Sequence, residues 1–486
     1  MKKNIIFMLI FVTTALFAEF DFSEEIIISN TNIEPVLAYP VDLDGDEDFD
    51  VITISGGDNI VGWYENLDGM GNFGAQQIIT NDYNIPSCVE VADFDNDSDM
   101  DVVVAFYASN MVIWFRHIDG TNEFEIGQII ASDRDGAFGI SVGDVDNDND
   151  MDILVASWED DTLCWYRNLD GLGNFEIAQI IDDNATKACR IIPVDVDEDG
   201  DLDVIAATNY VEDKIYWFEN SDGLGSFTYS QTITTNVQNV LSICTSYLDN
   251  DDDVDILSAS TDDDKAAWYE NTNGIIGEQQ IISTNADDAF HICTSDLNND
   301  GDEDVIVSCG VADRIEVFEN LGNAEFGDAQ VISSLANFVH STLPADIDGD
   351  GDFDLVSAFW GDGKIVWFRN ELATSADDDL HNSISPNIQL WNFPNPFNPN
   401  TTIEFSIEQN QQNEQFKIEI YNLKGQKIKS LSSSLCHPEL VEGRGENIYS
   451  ITWNGTDQSN QSVSSGIYYC RLNIPNSPVK KMVLLK

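Results

Sequence analysis

At 486 residues with a formal charge of −67, from 88 acidic and 21 basic side chains, the chain would repel phosphate backbones, which argues against nucleic acid as a partner. Its 42% hydrophobic and 10% aromatic content argues against a disordered polyanion and calls for a packed core. The acidity is unevenly placed: residues 1–380 hold 80 acidic and 12 basic side chains and residues 381–486 hold 8 and 9, so two domains of different character meet near residue 380.

In chain order, Met1-Lys2-Lys3, an apolar run from Ile5 to Phe17 and then Ala18 read as a secretory signal peptide over residues 1–18. No later stretch is long and apolar enough for a membrane-spanning helix, so an exported monomer without a transmembrane segment is expected. The eight cysteines show no close CxxC spacing, which argues against zinc. They read as buried small apolar residues rather than disulfides, with pairing of Cys244 and Cys293, at matching positions of consecutive repeats, left open.

Residues 19–371 are periodic. The pattern D-x-D-x-D-x-D-x-D begins at Asp42, Asp93, Asp144, Asp195, Tyr247, Asp296 and Asp346, at intervals of 51, 51, 51, 52, 49 and 50 residues. Each copy runs into a β-rich segment such as Asp152-Ile-Leu-Val-Ala-Ser157. An aromatic strand such as Trp217-Phe218-Glu219-Asn220 follows, then a Gly/Asn turn, an F-x-x-x-x-I-I strand and a short strand leading into the next loop. Four strands per repeat predict an all-β fold in which a seven-bladed β-propeller buries each sheet against its neighbours. The seventh repeat lacks its F-x-x-x-x-I-I strand, and that strand stands instead at the start of the domain, Phe22 to Ile28. The N-terminal strand is therefore expected to complete the last blade and close the ring.

The seven loops hold 37 of the 88 acidic residues. Carboxylates this close repel one another unless a cation sits among them. Oxygen donors at alternating positions suit calcium, which accepts roughly 6–8 oxygens at flexible geometry, better than magnesium. Position 2 is apolar in all seven copies and anchors the loop, while positions 4 and 6 are mostly Gly or Asn, which tolerate a left-handed backbone. Side-chain ligands are assigned to positions 1, 3, 5 and 9. These are Asp42, Asp44, Asp46 and Asp50 in the first loop, Asp93, Asp95, Asp97 and Asp101 in the second, and Asp144, Asp146, Asp148 and Asp152 in the third. The fourth offers Asp195, Asp197, Asp199 and Asp203, and the fifth, with Tyr247 at position 1, only Asp249, Asp251 and Asp255. The sixth offers Asp296, Asn298, Asp300 and Asp304, and the seventh Asp346, Asp348, Asp350 and Asp354. Up to seven calcium ions are expected, the first, fourth and seventh loops reading as the strongest and the Tyr247 loop as the weakest. The acids at position 7 (Asp48, Asp99, Asp150, Asp201, Asp253, Asp302, Asp352) are expected to face water.

The stretch from Phe138-Gly139 through Asp144 to Ser157 resembles an FG-GAP or VCBS repeat. The resemblance, over about residues 20–372, implies the calcium-bearing propeller of integrin α subunits and of many bacterial surface proteins, but no particular activity. In this chain the loops are more acidic and the GAP element is replaced.

Residues 372–389 read as a polar linker. From residue 390 to 486, alternating strands at 402–406, 416–421, 449–453 and 467–472 suggest a small immunoglobulin-like β-sandwich. The Asn-Pro-Phe-Asn-Pro segment ahead of Asn400, Tyr421-Asn-Leu-Lys-Gly-Gln426, Trp453-Asn-Gly455, Ser465-Gly-Ile-Tyr468 and the basic C-terminus resemble the sorting domain of type IX secretion substrates. That resemblance implies recognition by the type IX translocon and display or release at the surface of a Gram-negative bacterium. Residues 432–446 read as a surface insertion, with metal binding by Cys436 and His437 as a remote alternative.

For function, Arg190 and His291 lie five residues before position 1 of their loops and His340 six before, which places them near the channel mouth. Tyr107, Trp158, Tyr210 and Trp360 follow the second strand of their repeats, where aromatic rings can stack on sugars or simply pack. No nucleophile elbow, HExxH or phosphate loop occurs. The reading is a non-enzymatic binding or adhesion module for an extracellular glycan or protein, with a polysaccharide lyase or hydrolase as the alternative.

Overall fold

The computed structural model describes residues 20–372, except 119, 120, 252 and 335, and, beyond them, residues 389–393, 400–408, 417–422, 427–432, 439–440, 446–456, 458, 462–463, 466–472 and 479–484. Residues 1–18, expected to be a signal peptide, all but the two ends of the expected linker 372–389, and Cys436 and His437 lie outside the described residues. The chain divides into two compact units, residues 1–373 and 374–486.

The first unit contains seven four-stranded antiparallel sheets. In the first, Pro35–Val41, Asp50–Ser55, Ile60–Tyr64 and Gln77–Thr80 lie side by side in chain order. The plan repeats through the seventh, whose strands Val339–Ala345, Asp354–Phe359 and Lys364–Phe368 are completed by Ile26–Ser29 from the other end of the chain. Ile26 pairs with Trp367 and Ile27 with Val366, with a further bridge from Phe22 to Asn370. The ring is thus closed by strand addition, as the displaced N-terminal strand implied. The first strands of neighbouring sheets touch all the way round, the seventh meeting the first. This is a β-propeller.

Strand order explains the sequence of each repeat. Every second strand is buried at all six positions, as in Asp101–Phe106 and Asp203–Thr208, because it lies inside a sheet covered on both faces. The outer strands are half exposed, as in Gln179–Asp182. A register shift falls at the same place in all seven first strands, after Pro35, Pro86, Ala137, Ala188, Val240, Ala289 and Val339. Such bulges re-aim side chains; here they turn Phe138, Phe290 and His340 toward the channel mouth.

Neighbouring sheets are joined by polar bonds as well as by apolar packing. The residue just before each first strand has positive φ, and in six sheets its amide donates to an Asn or Asp in the preceding sheet's second hairpin, from Ile85 to Asn59 and onward round the ring to the bond from Phe338 to Asp313, at 2.8–3.1 Å. At Gly173, with φ 74°, a Cβ would fall 2.1 Å from the Trp114 ring of the preceding sheet, so only glycine lets this hairpin close on it.

The second unit holds two four-stranded antiparallel sheets. Ile403, Ile451 and Trp453 from one sheet and Ile418, Ile420, Cys470 and Met482 from the other form one core, a β-sandwich. Strands Gln389–Phe393, Lys427–Ser432 and Val479–Leu484 add to those visible in sequence, and within the 432–446 insertion Glu439–Leu440 pairs with Glu446–Trp453.

Seven cysteines are described: all carry free thiols, and Cys189, Cys293 and Cys309 are fully or nearly fully buried. Cys244 and Cys293 are therefore packing residues, and burial raises both thiols well above their usual range.

Candidate functional site

Each acidic loop joins the first strand of a sheet to the second. Position 9 is its foundation: Asp50, Asp101, Asp152, Asp203, Asp255, Asp304 and Asp354 are 0–1% exposed. One oxygen of each accepts the position-2 amide (Leu43, Phe94, Val145, Val196, Leu248, Leu297, Ile347) at 3.0–3.4 Å. The other accepts the amide at the end of the third strand (Asn66, His117, Asn168, Asn220, Asn271, Asn320, Asn370) at 2.7–2.9 Å. Burial raises these carboxyls to about 7, and Asp152 to about 8. Position 1 accepts amides of its own loop, as Asp93 does from Asp97 and Ser98 at 3.1 and 3.0 Å, which curls the backbone around the carboxylates.

Three carboxylate oxygens converge to within 4.8 Å of one another at Asp42, Asp44 and Asp50, at Asp93, Asp95 and Asp101, at Asp144, Asp146 and Asp152, and at Asp346, Asp348 and Asp354. In the fourth loop the convergent set is Asp195, Asp197 and Asp199, with position 5 in place of Asp203. In these five loops the position-3 carboxylate (Asp44, Asp95, Asp146, Asp197, Asp348) keeps one buried oxygen with no hydrogen-bond partner. Burial, then the neighbouring carboxylates, raise all five, Asp146 to about 6. An unpartnered buried carboxylate oxygen among other carboxylates is costly without a cation, and a hard divalent ion with oxygen ligands fits this donor set. Among the described residues no such convergence of three acids occurs in the fifth loop (Asp249, Asp251, Asp255) or the sixth (Asp296, Asp300, Asp304, with Asn298). In the other four of these loops Asp46, Asp97, Asp148 and Asp350 at position 5 are not part of the convergent sets, and, like Asp199 in the fourth, they accept the position-7 amide, at 3.0–3.3 Å.

The expectation that position-7 acids face water is corrected. None is exposed, and Asp253 and Asp352 are 5% and 8% accessible. Asp150, Asp201 and Asp302 accept from Asn96, Asn147 and Asn250 of the preceding loop at 3.3, 2.8 and 2.6 Å. These bonds between loops leave the three carboxylates partly, not fully, open to solvent.

Sequence reasoning missed the asparagine at the end of the third strand. Its Nδ2 donates to the position-2 carbonyl of the preceding sheet's loop at 2.8–2.9 Å, from Asn66, Asn168, Asn220, Asn271, Asn320 and Asn370 to Ile347, Phe94, Val145, Val196, Leu248 and Leu297. Six of the seven loops, all but the first, are thereby tied to the next sheet. In the second sheet the residue is His117, whose ring bonds instead to the Thr121 carbonyl at 2.6 Å and stacks on Phe124. The signal was the recurrence of Asn at one register.

At the opposite end of the strands lies the channel. Arg190, His291 and His340 line one cavity of 210 Å³ with Tyr39, Glu90 and Cys88, all from first strands. Burial, then Arg190, hold His291 at about 4; burial, with Arg190 and His291, outweighs the bond that the His340 ring makes to the Val36 backbone and holds His340 at about 3. Burial lifts Glu90 to about 8 against the opposing pull of Tyr39 and Arg190. Above this cavity the mouth widens to 580 Å³, lined by Tyr107, Phe138, Trp158, Tyr210, Phe290 and Phe338, with Asn209, Asn239, Asp262 and Asp288 beside them. Tyr107, Trp158 and Tyr210 form one chain of mutually inclined rings at 6.2 and 5.7 Å, and Phe290, Phe338 and Trp360 a second at 5.4 and 5.7 Å. Trp158 also has a structural bond, Nε1 to Asn209 Oδ1 at 2.7 Å. Trp360 is 38% exposed and stands behind Phe338 rather than in the lining.

Comparison with known proteins matches the FG-GAP-like repeat model at residues 42–104, 93–155, 146–206, 195–258, 247–307 and 296–357, and the secretion system C-terminal sorting domain at residues 392–486. No curated protein matches the chain. Two crystal structures of BBS1N in complex with ARL6DN are similar to it, at 11% and 10% identity and TM-scores of 0.51 and 0.50. Each aligns with 73% of this chain, covering 97% and 98% of the matched chains, a likeness of fold alone.

Proposed function

Because the chain belongs to the FG-GAP-like repeat proteins and ends in a type IX sorting domain that marks it for export, we propose that it is an extracellular, calcium-braced binding module holding a glycan in the mouth of its channel. The observation that carries this reading is the mouth itself. Six aromatic rings face a 580 Å³ opening edged by amides and carboxylates, and ring faces suit the apolar faces of sugars while Asn and Asp side chains suit their hydroxyls. Bound calcium would supply positive charge among the buried loop carboxylates, with positions 1, 3 and 9 holding it in most loops. The loops join the strands at the end remote from the mouth, so the ion braces the platform without touching the ligand. The sorting domain supplies the second partner, the translocon.

A glycan array followed by titration of the exported protein tests the ligand. Trp158→Ala and Tyr210→Ala should each abolish detectable binding, with melting changed far less by Tyr210→Ala, whose ring is 67% exposed. Binding unaffected by both substitutions, or capture of proteins only, would refute the glycan reading.

A second reading rests on Glu90, a carboxyl that burial keeps protonated near neutrality beside Tyr39 and Arg190, as a general acid acting on a polysaccharide requires. Depolymerisation of a bound glycan, lost in Glu90→Gln, would favour this enzymatic reading over the binding module.

A further inference from the structure

The side chain just before the inter-sheet asparagine hangs over the acidic loop of its own sheet, because the next amide is fixed to the position-9 carboxylate. Its charge alternates in a way the loops themselves do not. It is Glu65, Glu219, Glu270 and Glu319 in the first, fourth, fifth and sixth sheets, and Arg116, Arg167 and Arg369 in the second, third and seventh.

The arginines engage the metal-facing carboxylates directly. Arg167 places Nε 2.6 Å from Asp146 Oδ2 and Nη2 2.8 Å from Asp148 Oδ2. Arg369 Nε is 2.6 Å from Asp348 Oδ2, and Arg116 Nη1 is 3.7 Å from Asp95 Oδ2. Each thus pairs with position 3, whose other oxygen is the buried unpartnered one. In the glutamate sheets that position adds negative charge. Asp44 is raised by burial, then by Asp46 and Glu65, and Glu319 by burial, then by Asp300. Between the two kinds of sheet the charge beside position 3 therefore differs by two units.

We propose that the loops form two calcium classes, the first, fourth and sixth binding tightly and the second, third and seventh binding weakly because Arg116, Arg167 and Arg369 already neutralise them. The fifth loop, with Tyr247 where the others place Asp, joins the weak class. An ion entering an arginine loop meets a guanidinium of like charge and must displace it from a carboxylate it needs. At these separations the two-unit difference between Glu319 and an arginine outweighs the single negative charge that Asn298, in place of Asp, removes from the sixth loop. The arginine loops in turn stay braced without calcium. The seventh loop, among the strongest by ligand count, moves to the weak class.

The partition rests on the calcium reading above, and titration of the chelator-stripped full chain with calcium, followed by calorimetry, separates the two. The expected isotherm has three tight sites and a remainder weaker by roughly tenfold or more. The R116Q/R167Q/R369Q variant should raise the tight count to six, and E65R should lower it to two. Where the triple variant does not fold, Arg369→Gln alone should still add one tight site as E65R removes one. Seven equal sites, or counts unmoved by these substitutions, would overturn the partition and leave the calcium reading standing. Absence of any calcium binding would overturn both.

Discussion

The loop rim and the channel both bury ionisable groups, and they resolve the cost in opposite ways. In each loop the buried charges are of one sign, and one position-3 oxygen in five loops is left without a partner. The channel gathers Glu90, His291 and His340 beside Arg190, and burial keeps all three largely neutral, aided at the histidines by repulsion from Arg190 and opposed at Glu90 by its attraction. The rim is built from a residue pattern present in every repeat, the channel from residues that occur once each. Repetition marks what the scaffold needs, and singular residues mark what this chain does with it.

The sharpest test of that contrast is removal of calcium. Stripping several sites should lower the melting temperature of the propeller on the order of 10 °C or more, since each occupied site adds stability by mass action. Without calcium, position-9 carboxyls raised to about 7 favour the folded state below the unfolded carboxylate range and lose that contribution as pH rises through about 7. With calcium the ionised form is the bound one. The chelator-induced drop, read by calorimetry, should therefore be larger at pH 8 than at pH 5.5; an equal drop would break the account of the rim.

Within the rim, position 9 should outweigh the rest. Asp152→Ala strands the amides of Val145 and Asn168 and should cost about 2–4 kcal/mol in denaturant unfolding even in chelator. Asp97→Ala at position 5, on an exposed residue, should cost under about 0.5 kcal/mol under the same conditions.

The inter-sheet tie sharpens the comparison further. Asn220→Ala leaves the Val145 carbonyl without that donor and should cost about 1–3 kcal/mol. His117→Asn, which installs the residue of the other six sheets, should be stabilising by about 0.5–1 kcal/mol, a gain in denaturant midpoint that a merely local role for His117 would not produce.

The smallest effect belongs to the channel. His291, held near 4, contributes stability that is present above the ordinary histidine range and is lost as pH falls through about 6 toward 4. Glu90, held near 8, contributes stability that is lost as pH rises through about 8. His291→Gln should flatten the acid limb and Glu90→Gln the alkaline limb of the pH–stability curve, each leaving the calcium response intact. A changed calcium response would show that the two regions are not separate.

Much of this was legible in one dimension because it was said seven times. The loop spacing, the four strands and the displaced strand Ile26–Ser29 are local patterns repeated at a near-constant period, and repetition turns weak strand signals into a secure architecture. Assigning carboxylates to a cation likewise needed only their crowding within nine positions.

What waited for the tertiary structure were the meetings of residues far apart in the chain. Asn320 reaches a carbonyl 72 residues away, and Arg369 comes to Asp348 only because the third strand returns beside the loop. Arg190, His291 and His340 share a cavity with Glu90 because ring closure brings the first strands of different sheets around one axis. Local pattern determines which residues each sheet carries; the geometry of closing the ring decides which of them face one another, and charge pairing, burial and proton affinity all follow from that second step.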